Sequence, residues 1–231
     1  MRDDICTIPV SEVFEHNDGC PICRMRDTIE ERMTDYILGD AMMEPDVRIE
    51  TNKTGFCEHH YNNMMSRRGR LQLALMLQTH INEINGEIFK KKLFNTDSKK
   101  TGNAKNITDS CFICSKIEWG LSRMIETVCR CYETQKDFRD MFNSQSMFCL
   151  PHYERLLGGA SKRNMKSYYP EFSENLNRIT GEYSKSLYDD LSKYCTMYDY
   201  RSRDGETDWG NSRDAVERTV AFLNGRIYKE E

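Results

Sequence analysis

Gly19-Cys20-Pro21-Ile22-Cys23, followed 34 residues after Cys23 by Phe56-Cys57-Glu58-His59-His60-Tyr61, decides how the whole chain is read, because the same arrangement returns later. Cys111-Phe112-Ile113-Cys114 is followed, 35 residues after Cys114, by Phe148-Cys149-Leu150-Pro151-His152-Tyr153. Sliding the first segment by 91 positions brings Cys20, Ile22 and Cys23 onto Cys111, Ile113 and Cys114. The same offset pairs Arg32 with Arg123, Met33 with Met124, Asp46 with Asp137, and Arg48 with Arg139. After one inserted residue the offset becomes 92, and Phe56, Cys57, His60 and Tyr61 meet Phe148, Cys149, His152 and Tyr153. Self-similarity at a fixed spacing marks a duplicated unit.

Two thiolates in a Cys-x-x-Cys spacing hold one ion from a tight turn, and a Cys-x-x-His pair completes a tetrahedron. Three cysteines with one histidine form a common closed zinc set. Taking each copy as self-contained predicts two sites. Cys20, Cys23, Cys57 and His60 form the first, and Cys111, Cys114, Cys149 and His152 the second. The repeat also chooses between adjacent histidines: His60 has a counterpart in His152, and His59 has none. The ligand pairs precede or open predicted helices, where free backbone N–H groups and the dipole favour thiolates. Pro21 and Pro151 suit first helical turns. The histidine nitrogen turned away from the metal needs a carboxylate or carbonyl. Asp46 and Asp137 are candidates, with surface ion pairs to Arg48 and Arg139 as the plainer reading.

The predicted cofactor is therefore two zinc ions, with an iron–sulfur cluster as the alternative, since thiolates bind clusters and an occasional histidine is tolerated. Four protein ligands fill the coordination sphere, so metal-assisted hydrolysis is not expected. Cys6, Cys129, Cys131 and Cys195 do not recur and read as small buried hydrophobes. A thioredoxin-like reading needs a βαβ unit beside the Cys-x-x-Cys, and no such pattern is present.

The periodicity is helical throughout, giving an all-α fold of two tandem metal-pinned helical repeats with additional C-terminal helices. Ile22, Met25, Ile29, Met33 and Tyr36 recur at helical spacing, as do Ile113, Ile117, Leu121, Met124 and Val128. Further stripes run from Leu73 to Ile88 and from Phe172 to Tyr194. Val216, Val220, Leu223 and Ile227 predict a short last helix capped by Asn211 or Ser212. Core packing explains these stripes. Gly158-Gly159 and Tyr168-Tyr169-Pro170 should break the helix that begins near His152. Residues 95–110 are polar and read as an exposed linker between a unit at 1–94 and a unit at 111–231.

A net charge of −4 offers no electrostatic footprint for nucleic acid, and Arg67-Arg68-Gly69-Arg70 reads as a solvated face. The N-terminus lacks a basic region followed by an apolar run, and no apolar stretch has the roughly 20 residues that span a bilayer. Clustered cysteines in a chain of this kind point to metal rather than disulfides, and to the cytoplasm. With closed ligand sets and no recognisable nucleophile–base pair, the expected role is non-enzymatic: an interaction or adaptor protein with a protein partner. The alternative is an iron–sulfur or thiol-dependent redox protein or enzyme. A small-ligand pocket between Tyr168 and Tyr200 is a weaker possibility, since core and surface packing accounts for the tyrosines.

Gly19-Cys20-Pro21-Ile22-Cys23, Gly55-Phe56-Cys57-Glu58-His59-His60-Tyr61, Phe148-Cys149-Leu150-Pro151-His152-Tyr153 and Asp208-Trp209-Gly210-Asn211 together resemble a domain family of unknown function from anaerobic Gram-positive bacteria. The resemblance covers nearly the whole chain. It implies no activity, substrate or catalytic residue.

Overall fold

A computed structural model describes residues 7–90, 96–160, 165–198 and 208–225. The described residues contain helices and no strand. In chain order the α-helices are α1 (Thr7–Phe14), α2 (Pro21–Leu38), α3 (Pro45–Thr54), α4 (Glu58–Ser66), α5 (Arg70–Ile84), α6 (Asp97–Thr108), α7 (Phe112–Thr134), α8 (Lys136–Asn143), α9 (Leu150–Gly159), α10 (Tyr169–Tyr198) and α11 (Ala215–Asn224). The stripes read from sequence fall on α2, α5, α7 and α10, and α9 ends at the Gly158-Gly159 pair. Among the described residues, no helix is long and apolar enough to cross a membrane.

The helices gather into two compact units that do not follow the expected division at 95–110. One unit comprises residues 1–26 and 121–231, and the other is the continuous stretch 27–120. We call them the outer and inner units, because the second is inserted within the sequence of the first. Residues 96–110 are not a bare linker. Thr96 caps α6, its side chain accepting from the Lys99 N–H at 3.4 Å. None of the residues of α6 is buried. Polarity on every face correctly signalled exposure, but a capped polar helix and a coil share that composition.

The inner unit is built on α3 against α5. Its core joins Ile37, Leu38, Phe56, Met64, Leu73 and Met76 to Phe112 and Ile113 at the start of α7. Phe112 donates its backbone N–H to the Gly55 carbonyl at 3.0 Å, which brings the segment before α4 beside the start of α7. Gly55 turns the chain from α3 towards α4 at φ 58°, ψ −153°, a conformation close to glycine-only. A Cβ there would stand 2.6 Å from Nε2 of His80, a ring whose Nδ1 is 2.7 Å from the Asn52 carbonyl. Gly55→Ala is therefore expected to destabilise by about 2–4 kcal/mol, combining backbone strain with displacement of a buried imidazole. A thermal melt unchanged from wild type would refute that reading of the turn.

The outer unit has an aromatic core. Phe142 stacks on Phe148 at 4.9 Å and packs on Phe172 at 4.9 Å, Tyr132 at 5.1 Å and Phe14 at 5.7 Å. Here α10 packs on α9 and α11. The last helix departs from expectation in its orientation. Val216, Val220 and Leu223 are exposed, while Ala215 and Phe222 are buried. The aliphatic stripe is the more conspicuous pattern in the sequence, but the Phe222 ring, 5.8 Å from Tyr183, sets the buried face. The helix begins after Asp214, and Asn211 and Ser212 lie in a short 3₁₀ turn instead. Ile227 lies outside the described residues.

Among the described residues, Arg48 and Arg139 form no ion pair with Asp46 or Asp137; both serve backbone carbonyls. Arg48 reaches the Leu75 carbonyl at 3.3 Å and Thr79 at 3.0 Å, and Arg139 the Tyr132 carbonyl at 2.9 Å.

Candidate metal centres

All eight residues singled out by the repeat come together in two clusters, but not in the sets expected. Cys20 and Cys23 meet Cys149 and His152 in the outer unit, while Cys57 and His60 meet Cys111 and Cys114 in the inner unit. The Cys-x-x-Cys of each motif series in the sequence is thus completed by the Cys-x-x-His of the other. The expected sets, Cys20-Cys23-Cys57-His60 and Cys111-Cys114-Cys149-His152, are corrected accordingly. Ligand types and spacing are the same in either pairing, so sequence spacing alone had no means of choosing between them.

Helix starts position every candidate ligand. Cys57 is the N-cap of α4 and Cys149 the N-cap of α9, with extended backbone angles of φ −75°, ψ 166° and φ −71°, ψ 157°. His60 and His152 follow three residues later, on the first turn. Cys20 and Cys111 directly precede α2 and α7, with Cys23 and Cys114 on the first turn. Each cluster therefore faces two helix N-termini, whose unpaired N–H groups and partial positive charge stabilise sulfur anions. The Cys114 N–H, for example, points at the Cys111 sulfur from 3.5 Å.

The spacings suit a single ion. About 2.3 Å to sulfur and 2.0–2.1 Å to nitrogen in a tetrahedron place sulfurs about 3.8 Å apart and sulfur about 3.6 Å from nitrogen. In the outer cluster the Cys23 and Cys149 sulfurs are 3.6 Å apart. Nδ1 of His152 lies 3.6, 3.3 and 3.1 Å from the sulfurs of Cys20, Cys23 and Cys149. In the inner cluster the Cys57 and Cys114 sulfurs are 3.8 Å apart. Nδ1 of His60 lies 3.1, 3.3 and 3.5 Å from Cys57, Cys111 and Cys114. Both histidines thus present the same nitrogen.

Electrostatics favour a cation at both places. Burial opposes ionisation of Cys111, but His60 and nearby backbone N–H groups outweigh it and bring the thiol down to about 6. Cys20 is likewise lowered despite its burial, by contacts with Cys149, Cys23 and His152. Burial and the Cys111 sulfur push Cys114 up, and contact with Cys20 pushes Cys149 up to about 12. The charge on Cys111 disfavours ionisation of Cys114, and the charge on Cys20 that of Cys23 and Cys149; a divalent cation removes that conflict.

The clusters differ in surroundings. All four outer residues are buried, whereas Cys57 is half-buried and Cys114 exposed. Gly225, in left-handed conformation at the end of α11, lies against the outer cluster, where an added Cβ would stand 3.3 Å from the Cys149 sulfur. A cavity of about 740 Å³ adjoins this cluster and is lined in part by Cys20, Cys23, Cys149, Tyr183, Arg213 and Glu217. Of the tyrosine-rich segment for which a pocket is the weaker reading and packing the preferred one, Tyr183 lines this cavity; Tyr200 lies outside the described residues.

Beside the inner cluster, sequence reasoning missed Glu30. Its Oε1 is 2.6 Å from Nε2 of His59 and 3.3 Å from Nε2 of His60. Contact with His60, and then with His59, holds the Glu30 carboxyl down at about 2 against the effect of burial. Asp46 and Asp137, the carboxylates suggested by the repeat, are exposed. Glu30 has no acidic counterpart in the second copy, so the repeat gave no signal for it. His59 faces Glu30, as its lack of a counterpart had suggested it would not be among the sulfurs.

Cys129 and Cys131 are buried on α7 and belong to neither cluster, whereas Cys195 is exposed. The expectation of burial thus fails for Cys195, and Cys6 lies outside the described residues.

Over residues 1–230 the chain belongs to the family of unknown function DUF6062. No curated protein and no solved structure matches it.

Proposed function

We propose that this DUF6062 protein binds two zinc ions in closed structural sites, one held by Cys20, Cys23, Cys149 and His152 and the other by Cys57, His60, Cys111 and Cys114. The observation that carries this reading is the packing of each donor set, with all its ligand atoms within 4.8 Å of one another. That spacing supports one tetrahedral ion. In a polynuclear iron–sulfur cluster the cysteines bind different irons and stand farther apart. Three thiolates and an imidazole around a single tetrahedral ion are a zinc donor set.

Four protein ligands leave no open coordination position, so the ions hold helix starts together instead of activating water. The protein then acts by binding another protein, as an adaptor, in the cytoplasm. Six of the ten cysteines fall in these donor sets, a use of cysteine that supports a reducing compartment. One observation favours a second reading, thiol-dependent chemistry at the outer site: all three of its cysteines line the cavity. Elemental analysis and absorption spectra of full-length protein purified without oxygen separate the readings. Two zinc ions per chain and no visible colour are expected. Iron with visible absorbance would overturn the zinc assignment, and alkylation of a cavity sulfur in the metal-loaded chain would favour thiol chemistry.

A further inference from the structure

His60 turns Nδ1 towards three sulfurs, at 3.1, 3.3 and 3.5 Å. A neutral imidazole that gives Nδ1 to a metal carries its proton on Nε2. That nitrogen is buried and, among the described residues, has no well-aligned hydrogen-bond partner. A buried N–H needs an acceptor. Glu30, on α2, offers Oε1 at 3.3 Å, a distance that a small side-chain rotation would convert into a hydrogen bond. The same oxygen lies 2.6 Å from Nε2 of His59, which fixes the carboxylate from its other side.

The matched positions of the other half of the sequence supply no equivalent of this pair. The offset of 91 places Leu121 opposite Glu30, and the offset of 92 places Pro151 opposite His59. A leucine accepts no hydrogen bond and a proline side chain donates none.

We propose that Glu30 is a positioning residue of the inner metal site. It accepts the Nε2 proton of His60, orients the ring with Nδ1 on the ion, and makes the imidazole a stronger donor. The two sites are therefore unequal: a carboxylate–histidine–metal relay operates in the inner site, and Glu30 plays no part in the outer one. The proposal rests on the zinc reading above. Loss of such a partner weakens metal binding about 10–100-fold at other sites of this kind.

The test uses the full chain loaded with cadmium, followed by NMR of the metal, and competition of zinc-loaded protein with a chromogenic chelator. Two cadmium resonances are expected from wild type. Glu30→Gln should move one of them and leave the other in place, and should weaken one zinc ion about 10–100-fold without changing the second. His59→Ala, which frees one side of the carboxylate, should retain both ions and move only the resonance that Glu30→Gln moves. Far-UV circular dichroism verifies that each variant keeps its helices, and Glu30→Asp provides a conservative rescue if Gln disturbs folding. Unmoved resonances, equal weakening of both ions, or loss of a third metal equivalent in Glu30→Gln or His59→Ala would each overturn the proposal. The last outcome would mean that Glu30, His59 and His60 hold an ion of their own. A wild-type chain that takes up no metal would overturn the zinc reading and this inference together, which distinguishes it from the other failures.

Discussion

Replacing Cys149 with serine is expected to remove one metal equivalent and with it the cooperative folding of the outer unit. Cys149 is 1% exposed and caps α9, within 3.6 Å of the Cys23 sulfur and 3.1 Å of His152 Nδ1. A serine hydroxyl is a poor zinc ligand, so Cys20, Cys23 and His152 would remain buried without the ion that reconciles them. Zinc binding to comparable sites is worth about 10–16 kcal/mol, of the same order as the roughly 5–15 kcal/mol net stability of a domain. Cys129→Ser is the control. Cys129 is equally buried, but burial pushes its thiol up to about 12 and it belongs to neither donor set. That variant should keep both ions and lose about 1–3 kcal/mol, the cost of burying a poorly paired hydroxyl. Native mass spectrometry and a thermal melt of each variant measure both effects. Equal metal loss from Cys149→Ser and Cys129→Ser would show that the ligands are wrongly assigned.

Phe142→Ala should be the most damaging substitution away from the metals. Phe142 is fully buried and its ring packs on those of Phe14, Tyr132, Phe148 and Phe172. Removing a phenyl ring from such surroundings forfeits its transfer energy and leaves a cavity, together about 3–5 kcal/mol. For a chain of this size that lowers the melting temperature on the order of 10 °C. Because Phe148 directly precedes Cys149, the loss should also speed metal release from the outer site. Chelator competition tests this, and release from both sites at equal rates would contradict it.

The helical class, the main helix stripes and all eight clustered residues were legible in the sequence because each depends on local spacing. Cys-x-x-Cys and Cys-x-x-His fix two donors on one helical turn, and a duplicated pattern picks His60 over His59 without any coordinates. The partner of each half-site was not legible. Which turn closes on which is a tertiary choice, and two chemically identical halves permit either pairing. The structure nests them: the inner half-sites meet across α4 and α7, the outer ones across α2 and α9. Other failures share that origin. Val216, Val220 and Leu223 form a regular stripe, yet the Phe222 ring sets the buried face of α11. Glu30 has no acidic match in the repeat, and one glutamate among several charges on α2 carries no signal until a buried imidazole is found beside it.

Metal counting on two double variants tests the exchanged pairing most directly. Cys20→Ser with Cys149→Ser removes two ligands from one cluster, so native mass spectrometry should find one zinc ion retained. Cys20→Ser with Cys57→Ser removes one ligand from each, and should leave none. The opposite pattern, an ion retained by Cys20→Ser/Cys57→Ser and none by Cys20→Ser/Cys149→Ser, would mean that each copy closes on its own metal.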